Sequence, residues 1–284
     1  MARLEPAVQS GSLLKLYQAL WAPYYQSVLN ILGSTGVILP LGDPHHGQPD
    51  ATSFTTKGGA QLTFTWSEAP SSFDAPLDLT DPDSFQGIVP VVELNGTDEE
   101  ADTPDAAFWS VDDSGDNGFS MGLWVNVATA GLNVFLAKWE TTGSQREWIF
   151  GTDASGGPRL TARDESASVS VERAADGDLV ASRWYFIVMT YDGAGGANAM
   201  DGVTIYQDGA SVASTASNNG AYVAMEAGTA LPELGRQDHA SNLLDGKVAG
   251  GPLGPWFVTH NAAGIITADQ VRALYDLGRA ALAL

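Results

Sequence analysis

Between Phe119 and Val127 the chain alternates strictly. Phe119, Met121, Leu123, Val125 and Val127 fall on one parity, and Ser120, Gly122, Trp124 and Asn126 on the other. Successive side chains leave a strand on opposite faces, so this period of two predicts a half-buried β-strand. Short β-rich runs follow at 134–137, 147–150, 159–162, 168–172, 184–191, 203–207 and 211–214. Turn signals stand between them, among them Asp153-Ala-Ser-Gly-Gly, Asp176-Gly177, Asp192-Gly193 and Asp208-Gly209. Many short antiparallel strands joined by Gly/Asp turns specify a two-sheet sandwich or jelly roll. The 32 glycines suit that architecture better than any helical one. Phe119, Met121, Leu123, Val125, Phe186, Val188 and Ile205 are expected to face the core.

Two segments carry the helical period instead. Leu13, Leu16, Tyr17, Leu20, Trp21, Tyr24, Tyr25, Val28, Leu29 and Leu32 recur at steps of three and four, an amphipathic stripe that Gly33 would end. Residues 1–35 are therefore expected to form an N-terminal helical arm, and residues 36–284 the jelly-roll domain. Thr267 and Gln270 form a capping box, Ile266 and Val271 a hydrophobic staple, and Gly278 the expected stop of a short C-terminal helix.

Charge and composition exclude several classes of function. With 13 Lys+Arg against 34 Asp+Glu, the net charge is −21, which argues against a nucleic-acid surface. With no cysteine there is no disulfide, thiolate metal site or cysteine nucleophile. No stretch approaches the roughly 18 apolar residues of a membrane span. The first residues lack the basic start and apolar core of a secretory signal.

The order of the pieces resembles a known family. Val92-Glu-Leu-Asn-Gly-Thr-Asp is similar to the opening of laminin-G-like, concanavalin A-like jelly rolls. Phe119–Val127 resembles their "F-T-L-x-x-W-V" strand, and Ala137-Lys138-Trp139 the "x-x-K" strand after it. Residues 184–193 are similar to "W-Y-x-V-x-x-T-Y-D-G", residues 203–209 to "V-x-I-Y-x-D-G", and residues 267–278 to the terminal "T-x-x-E-I-x-x-L-Y-x-x-G" helix. Gly36-Val-Ile-Leu-Pro-Leu-Gly resembles the first strand of phage and bacterial members. The resemblance implies a mainly β, two-sheet antiparallel jelly-roll sandwich. It departs from the family after Lys247, where Val-Ala-Gly-Gly-Pro-Leu-Gly-Pro-Trp-Phe replaces the usual "I-D-E-V-R-I-Y" strand.

The chemistry-bearing residues are few. Laminarinase-type glycosidases of this fold need two carboxylates about 5–5.5 Å apart, typically as Glu-x-Asp-x-x-Glu. That spacing does not occur, and Glu99-Glu100-Ala-Asp102 reads as a solvated loop or edge strand. His45-His46, His239 and His260 lack zinc-site spacing. Asp112, Asp113 and Asp116 form an oxygen-rich loop of the kind Ca2+ takes, although acidic loops are ordinary in so acidic a chain. No resident cofactor is expected, with Ca2+ the one cation to weigh. Trp124, Trp139 and Trp148 are the aromatics that could stack on a sugar.

The expected function is a non-catalytic virion structural protein: a phage capsid-decoration, head-fibre or tail component, made in the host cytoplasm. The alternatives are a carbohydrate-binding, host-attachment module and a laminarinase-like hydrolase. Partners would be further copies of the chain, other virion proteins or a surface glycan, but no nucleic acid or membrane. A long apolar stripe left in water would be adhesive. Leu13, Leu16, Tyr17, Leu20, Trp21, Tyr24, Tyr25 and Val28 are therefore expected to dock on a neighbouring copy or another virion protein.

Overall fold

The computed structural model describes residues 22–41, 52–67, 72–74, 91–111, 117–239, 242–258 and 265–282. A helix, α1, covers residues 22–32. In chain order the strands are β1 (Gly36–Ile38), β2 (Ser53–Thr55), β3 (Lys57–Gly58), β4 (Thr63–Trp66), β5 (Ser72–Asp74), β6 (Val91–Asn95), β7 (Ala101–Asp102), β8 (Phe119–Val127), β9 (Val134–Lys138) and β10 (Trp148–Thr152). They continue with β11 (Pro158–Asp164), β12 (Val169–Ala175), β13 (Trp184–Tyr191), β14 (Val203–Gln207), β15 (Ala210–Ser211), β16 (Ser214–Ser217), β17 (Pro232–Leu234), β18 (Asp245–Ala249) and β19 (Trp256–Val258). Helix α2 spans Ala268–Leu282.

The strands form two antiparallel sheets packed as a sandwich. The first runs β15-β14-β13-β8-β18-β6-β5, with β19 joining β8 to β1 and β1 to β3. The second runs β16-β12-β11-β10-β9-β17-β7-β4-β2. Asp208 and Gly209, both at positive φ (52° and 81°), turn the hairpin between β14 and β15 as the Asp-Gly signal predicts.

Register assigns the faces of the central strands. β13 lies against β8 along its whole length, placing Met189 opposite Met121, Ile187 opposite Leu123 and Tyr185 opposite Val125. These pairs point into the inter-sheet core, as do Phe119 and Ile205. Phe186 is opposite Trp124 and Val188 opposite Gly122, so both point outward. They were expected inside. Every position of β13 from Tyr185 to Met189 is large and apolar, so parity carries no signal there and only the partner strand decides.

The outward face of the first sheet is nevertheless buried, because α1 and α2 lie on it. Val28 and Leu32 of α1, Val271 and Leu274 of α2, and Trp124, Phe186, Val188, Trp256 and Val258 of the sheet form one cluster. Tyr24 and Tyr25 are half-buried against it. Tyr24, Tyr25 and Val28, expected to dock on another subunit, thus meet their own sandwich, whose first sheet had an apolar face to offer. Leu13, Leu16, Tyr17, Leu20 and Trp21 lie outside the described residues. Gly33 ends α1 at φ 79°, its N–H donating to the Leu29 carbonyl at 2.9 Å.

Helix α2 begins with the predicted capping box. The Thr267 N–H donates to Gln270 Oε1 at 2.8 Å, and the Gln270 N–H to Thr267 Oγ1 at 3.3 Å. Gln270 Nε2 also donates to the Ile31 carbonyl at 3.0 Å, tying α2 to α1. Gly278 does not stop this helix, which continues to Leu282.

The Gly/Pro insertion after Lys247 splits one strand into two. β18 pairs with residues 125–127 of β8, a single 3-10 turn follows at Gly251–Leu253, and β19 pairs with residues 120–122 of the same strand. The result places Phe257 in the aromatic centre of the core, stacked on Phe119 (5.7 Å between centroids) and Trp148 (5.4 Å).

Candidate functional site

With the first sheet capped by helices, the outward face of the second sheet is the side of the sandwich that carries charge. Glu233 is opposite both Ala137 and Asp102, Ala137 opposite Ile149, Ile149 opposite Thr161, and Thr161 opposite Glu172. Directly opposed residues share a face, so these six form a row across it.

Arg236 organises one end of that row. Its Nε donates to Glu233 Oε1 at 2.9 Å, Nη1 to Glu100 Oε1 at 2.5 Å and Nη2 to Asp102 Oδ2 at 2.9 Å. Arg236, Glu100 and Glu233 are all buried. Glu99-Glu100 is therefore not the solvated segment expected: Glu100 is clamped by a guanidinium, and Glu99 is buried too, accepting the Asn95 N–H at 2.8 Å. His239 adds its Nδ1 at 3.1 Å and its backbone N–H at 3.1 Å, both to Glu233 Oε1. Burial raises the Glu233 carboxyl above the ordinary range, and Arg236 and His239 oppose that rise. Among the described residues no hydrogen-bond donor reaches Glu233 Oε2 or Glu100 Oε2.

A second charged group lies along the same sheet. Glu165 accepts from Arg146 through both oxygens, with Nη2 at 2.8 Å from Oε2, and Arg163 Nε approaches at 3.4 Å. Hydrogen bonding to Arg146 holds the Glu165 carboxyl below its usual range despite partial burial. The Arg146 guanidinium also lies 5.8 Å from the Trp139 ring centroid. The Asp238 N–H donates to the Trp139 carbonyl at 3.1 Å, and Asp238 Oδ1 accepts the Thr141 N–H at 2.8 Å. These bonds link the Trp139 loop to the Arg236 segment.

Of the three tryptophans expected to meet a sugar, only Trp139 is suitably placed. It is half-buried, beside the small apolar cluster Val134, Ala137 and Ile149. Trp124 is buried beneath α2, stacked on Tyr275 at 5.6 Å and 12°. Trp148 lies in the inter-sheet core, with its Nε1 donating to the Trp109 carbonyl at 3.3 Å. Neither can offer a ring face to a ligand. Asp112, Asp113, Asp116, His45, His46 and His260 lie outside the described residues. Among the described residues no group of three His, Cys, Asp or Glu side chains could hold a metal ion; around Arg236 the carboxylates converge on a guanidinium. No helix among them is long and apolar enough to cross a membrane.

Arg236 and Glu233 escaped the sequence reading, and His239 was weighed there only as a metal ligand. The available signal was the Glu-Leu-Gly-Arg run from Glu233 to Arg236, a cation three residues from an acid across Gly235 at φ 82°. An open depression of about 430 Å³ lies between α1 and β3, lined by Gln26, Leu29, Asn30, Gly33, Ser34, Gly58 and Gly59. Its lining contains no titratable group.

No curated protein matches the chain. Among solved structures, it is similar to the botulinum neurotoxin serotype D/C VPI 5993 binding domain, with TM-score 0.54 and 10% identity over 87% of this chain and 52% of that one. It is also similar to the binding domain of botulinum neurotoxin DC in complex with SialylT, with TM-score 0.51 and 8% identity over 81% of this chain and 52% of that one. The chain thus matches about half the length of these structures, and the likeness is one of fold. The Laminin_G_3 model, described as concanavalin A-like lectin/glucanases superfamily, matches residues 95–250, more than half of the chain, and the chain belongs to that superfamily.

Proposed function

We propose that the chain is a non-catalytic virion protein, a capsid-decoration, head-fibre or tail component of a bacteriophage, which attaches to a surface glycan around the half-buried Trp139 on the outward side of its second sheet. The observation that carries the non-catalytic part is the Arg236 clamp. A glycosidase needs one carboxyl free to protonate the leaving oxygen and another free to attack or to activate water. Here Glu100, Asp102 and Glu233 all accept hydrogen bonds from one guanidinium. Such a set is a rigid, largely buried polar support. Next to it, Trp139 supplies an aromatic ring, flanked by the Arg146 guanidinium, of the kind that stacks on a sugar face. A binding domain of similar fold is described in complex with SialylT, in keeping with an attachment role.

Assembly with further copies or other virion proteins rests on Leu13, Leu16, Tyr17, Leu20 and Trp21, since Val28 is occupied within the fold. If Ca2+ takes part, Asp112, Asp113 and Asp116 are its proposed ligands.

The test has three arms. The purified chain is applied to a glycan array beside Trp139→Ala and Arg146→Ala, phage particles are searched for the chain by mass spectrometry, and β-glucans are assayed for reducing-sugar release. Glycan binding lost in both variants, together with presence in particles, is expected. Reducing-sugar release abolished by Glu233→Gln would overturn the non-catalytic reading.

A further inference from the structure

A second buried polar cluster, apart from the one around Arg236, has the composition of a condensation site. Lys138 ends β9 with its side chain 0% exposed, and Glu147, just before β10, is also 0% exposed. Lys138 Nζ donates to Glu147 Oε1 and, at 2.6 Å, to the Gly228 carbonyl. Its third neighbour is Asp105, whose Oδ1 lies 3.2 Å from Nζ. Trp148, directly opposite Lys138 in the sheet, supplies an apolar wall. A lysine amine, an aspartate carboxyl and a glutamate able to move protons between them, all in an apolar environment, are the reactants and the general acid–base of amide formation.

We propose that Lys138 and Asp105 condense to an intramolecular amide, with Glu147 relaying the protons, so that the chain carries a covalent cross-link between β9 and the segment after β7. Nζ passes a proton to Glu147 and attacks Cγ of Asp105, forming the N–C bond. Two of the three protons of the Lys138 ammonium end on one Asp105 carboxylate oxygen. The Cγ–O bond then breaks, water leaves, and Glu147 returns to its starting protonation state. The step consumes no oxidant or co-reactant. The Asp105 side chain is 30% exposed, which gives the water an exit.

Two further observations favour the bond over a permanent ion pair. Burying two full charges is costly unless every remaining lone pair finds a donor. Among the described residues no donor reaches Glu147 Oε2. Burial also raises the Glu147 carboxyl to about 7, against the pull of Lys138 and the Gly228 N–H, so it can hold the relayed proton near neutral pH. The amide removes the Lys138 and Asp105 charges, and Glu147, no longer paired with a cation, is then free to take up a proton from solvent. The Arg236 cluster has three carboxylates against two here, but a guanidinium in place of the amine, and carries no such reaction.

The decisive experiment is the intact mass of the purified full chain beside Asp105→Ala and Glu147→Gln, followed by tryptic mapping. The wild type is expected to be lighter than its sequence by one water, with a linked peptide joining Lys138 to Asp105. Asp105→Ala is expected at its full sequence mass, and Glu147→Gln uncross-linked or slow to lose the water. A folded wild type at full sequence mass overturns the proposal and leaves an ion pair. Loss of water without the linked peptide, such as a succinimide at Asp192 or Asp208, also overturns it. Should a variant fail to fold, the wild-type mass and peptide map decide alone.

Discussion

Gly278 presses its bare Cα against the indole of Trp124: a Cβ built on Gly278 would lie 2.6 Å from Trp124 Nε1 and 2.7 Å from Cζ2. The contact explains why a glycine sits inside α2 and why Trp124 has no face to offer a ligand. Glycine to alanine within a helix ordinarily stabilises by about 1 kcal/mol. Here the sign reverses, because the ring is held between Phe186 (5.1 Å) and Tyr275 (5.6 Å) and cannot yield. Gly278→Ala is expected to destabilise by about 1–3 kcal/mol, the range for overpacking. Urea denaturation measures it; a stabilised variant would show that α2 rides loosely on the sheet.

Leu32 gives the corresponding test for α1. It is 3% exposed and packs with Ile38, Trp256 and Val258. Leu32→Ala is expected to cost about 2–5 kcal/mol with no change in oligomeric state. If light scattering instead finds that the variant dissociates at unchanged stability, the helix belongs to an intermolecular contact.

What the sequence disclosed follows from the range over which each signal acts. The β8 alternation, the Thr267–Gln270 box and the Asp208-Gly209 turn are local, and each reads correctly. Phe186 and Val188 were assigned inward because the apolar run of β13 leaves its faces to β8. Gly278 looked like a helix stop because its partner, Trp124, is a packing contact from a distant strand. Glu100 looked solvated because the guanidinium that buries it belongs to Arg236, 136 positions along the chain. Trp139, Trp124 and Trp148 are equally aromatic in sequence; only tertiary packing separates the half-exposed ring from the two buried ones.

Removing the clamp is expected to be severe. Arg236→Ala leaves Glu100, Asp102 and Glu233 in proximity without their cation, and breaking a buried pair costs about 3–5 kcal/mol. The deficit should shrink in acid, because protonating Glu233 removes one of the charges that Arg236 neutralises. Denaturation midpoints of both proteins at neutral and acid pH provide the check. A deficit independent of pH would mean that lost packing of the Arg236 stem, rather than charge, dominates.

Glu147 gives a pH prediction for the wild type itself. Its folded carboxyl is raised from 4.5 to about 7, chiefly by burial. Between those values the folded chain keeps a proton that the unfolded chain has released, so stability falls as pH rises through that window and levels off above it. The shift corresponds to a loss of about 3 kcal/mol across the window. Glu147→Gln presents a neutral amide at every pH and should flatten that part of the profile. If the Lys138–Asp105 amide has formed, the cation that pulls Glu147 down is gone, and the upper limit of the window moves above 7. Urea midpoints from about pH 4 to about pH 9 resolve the slope. A wild-type profile that Glu147→Gln leaves unchanged would show that Glu147 ionises in the folded chain as it does in the unfolded one.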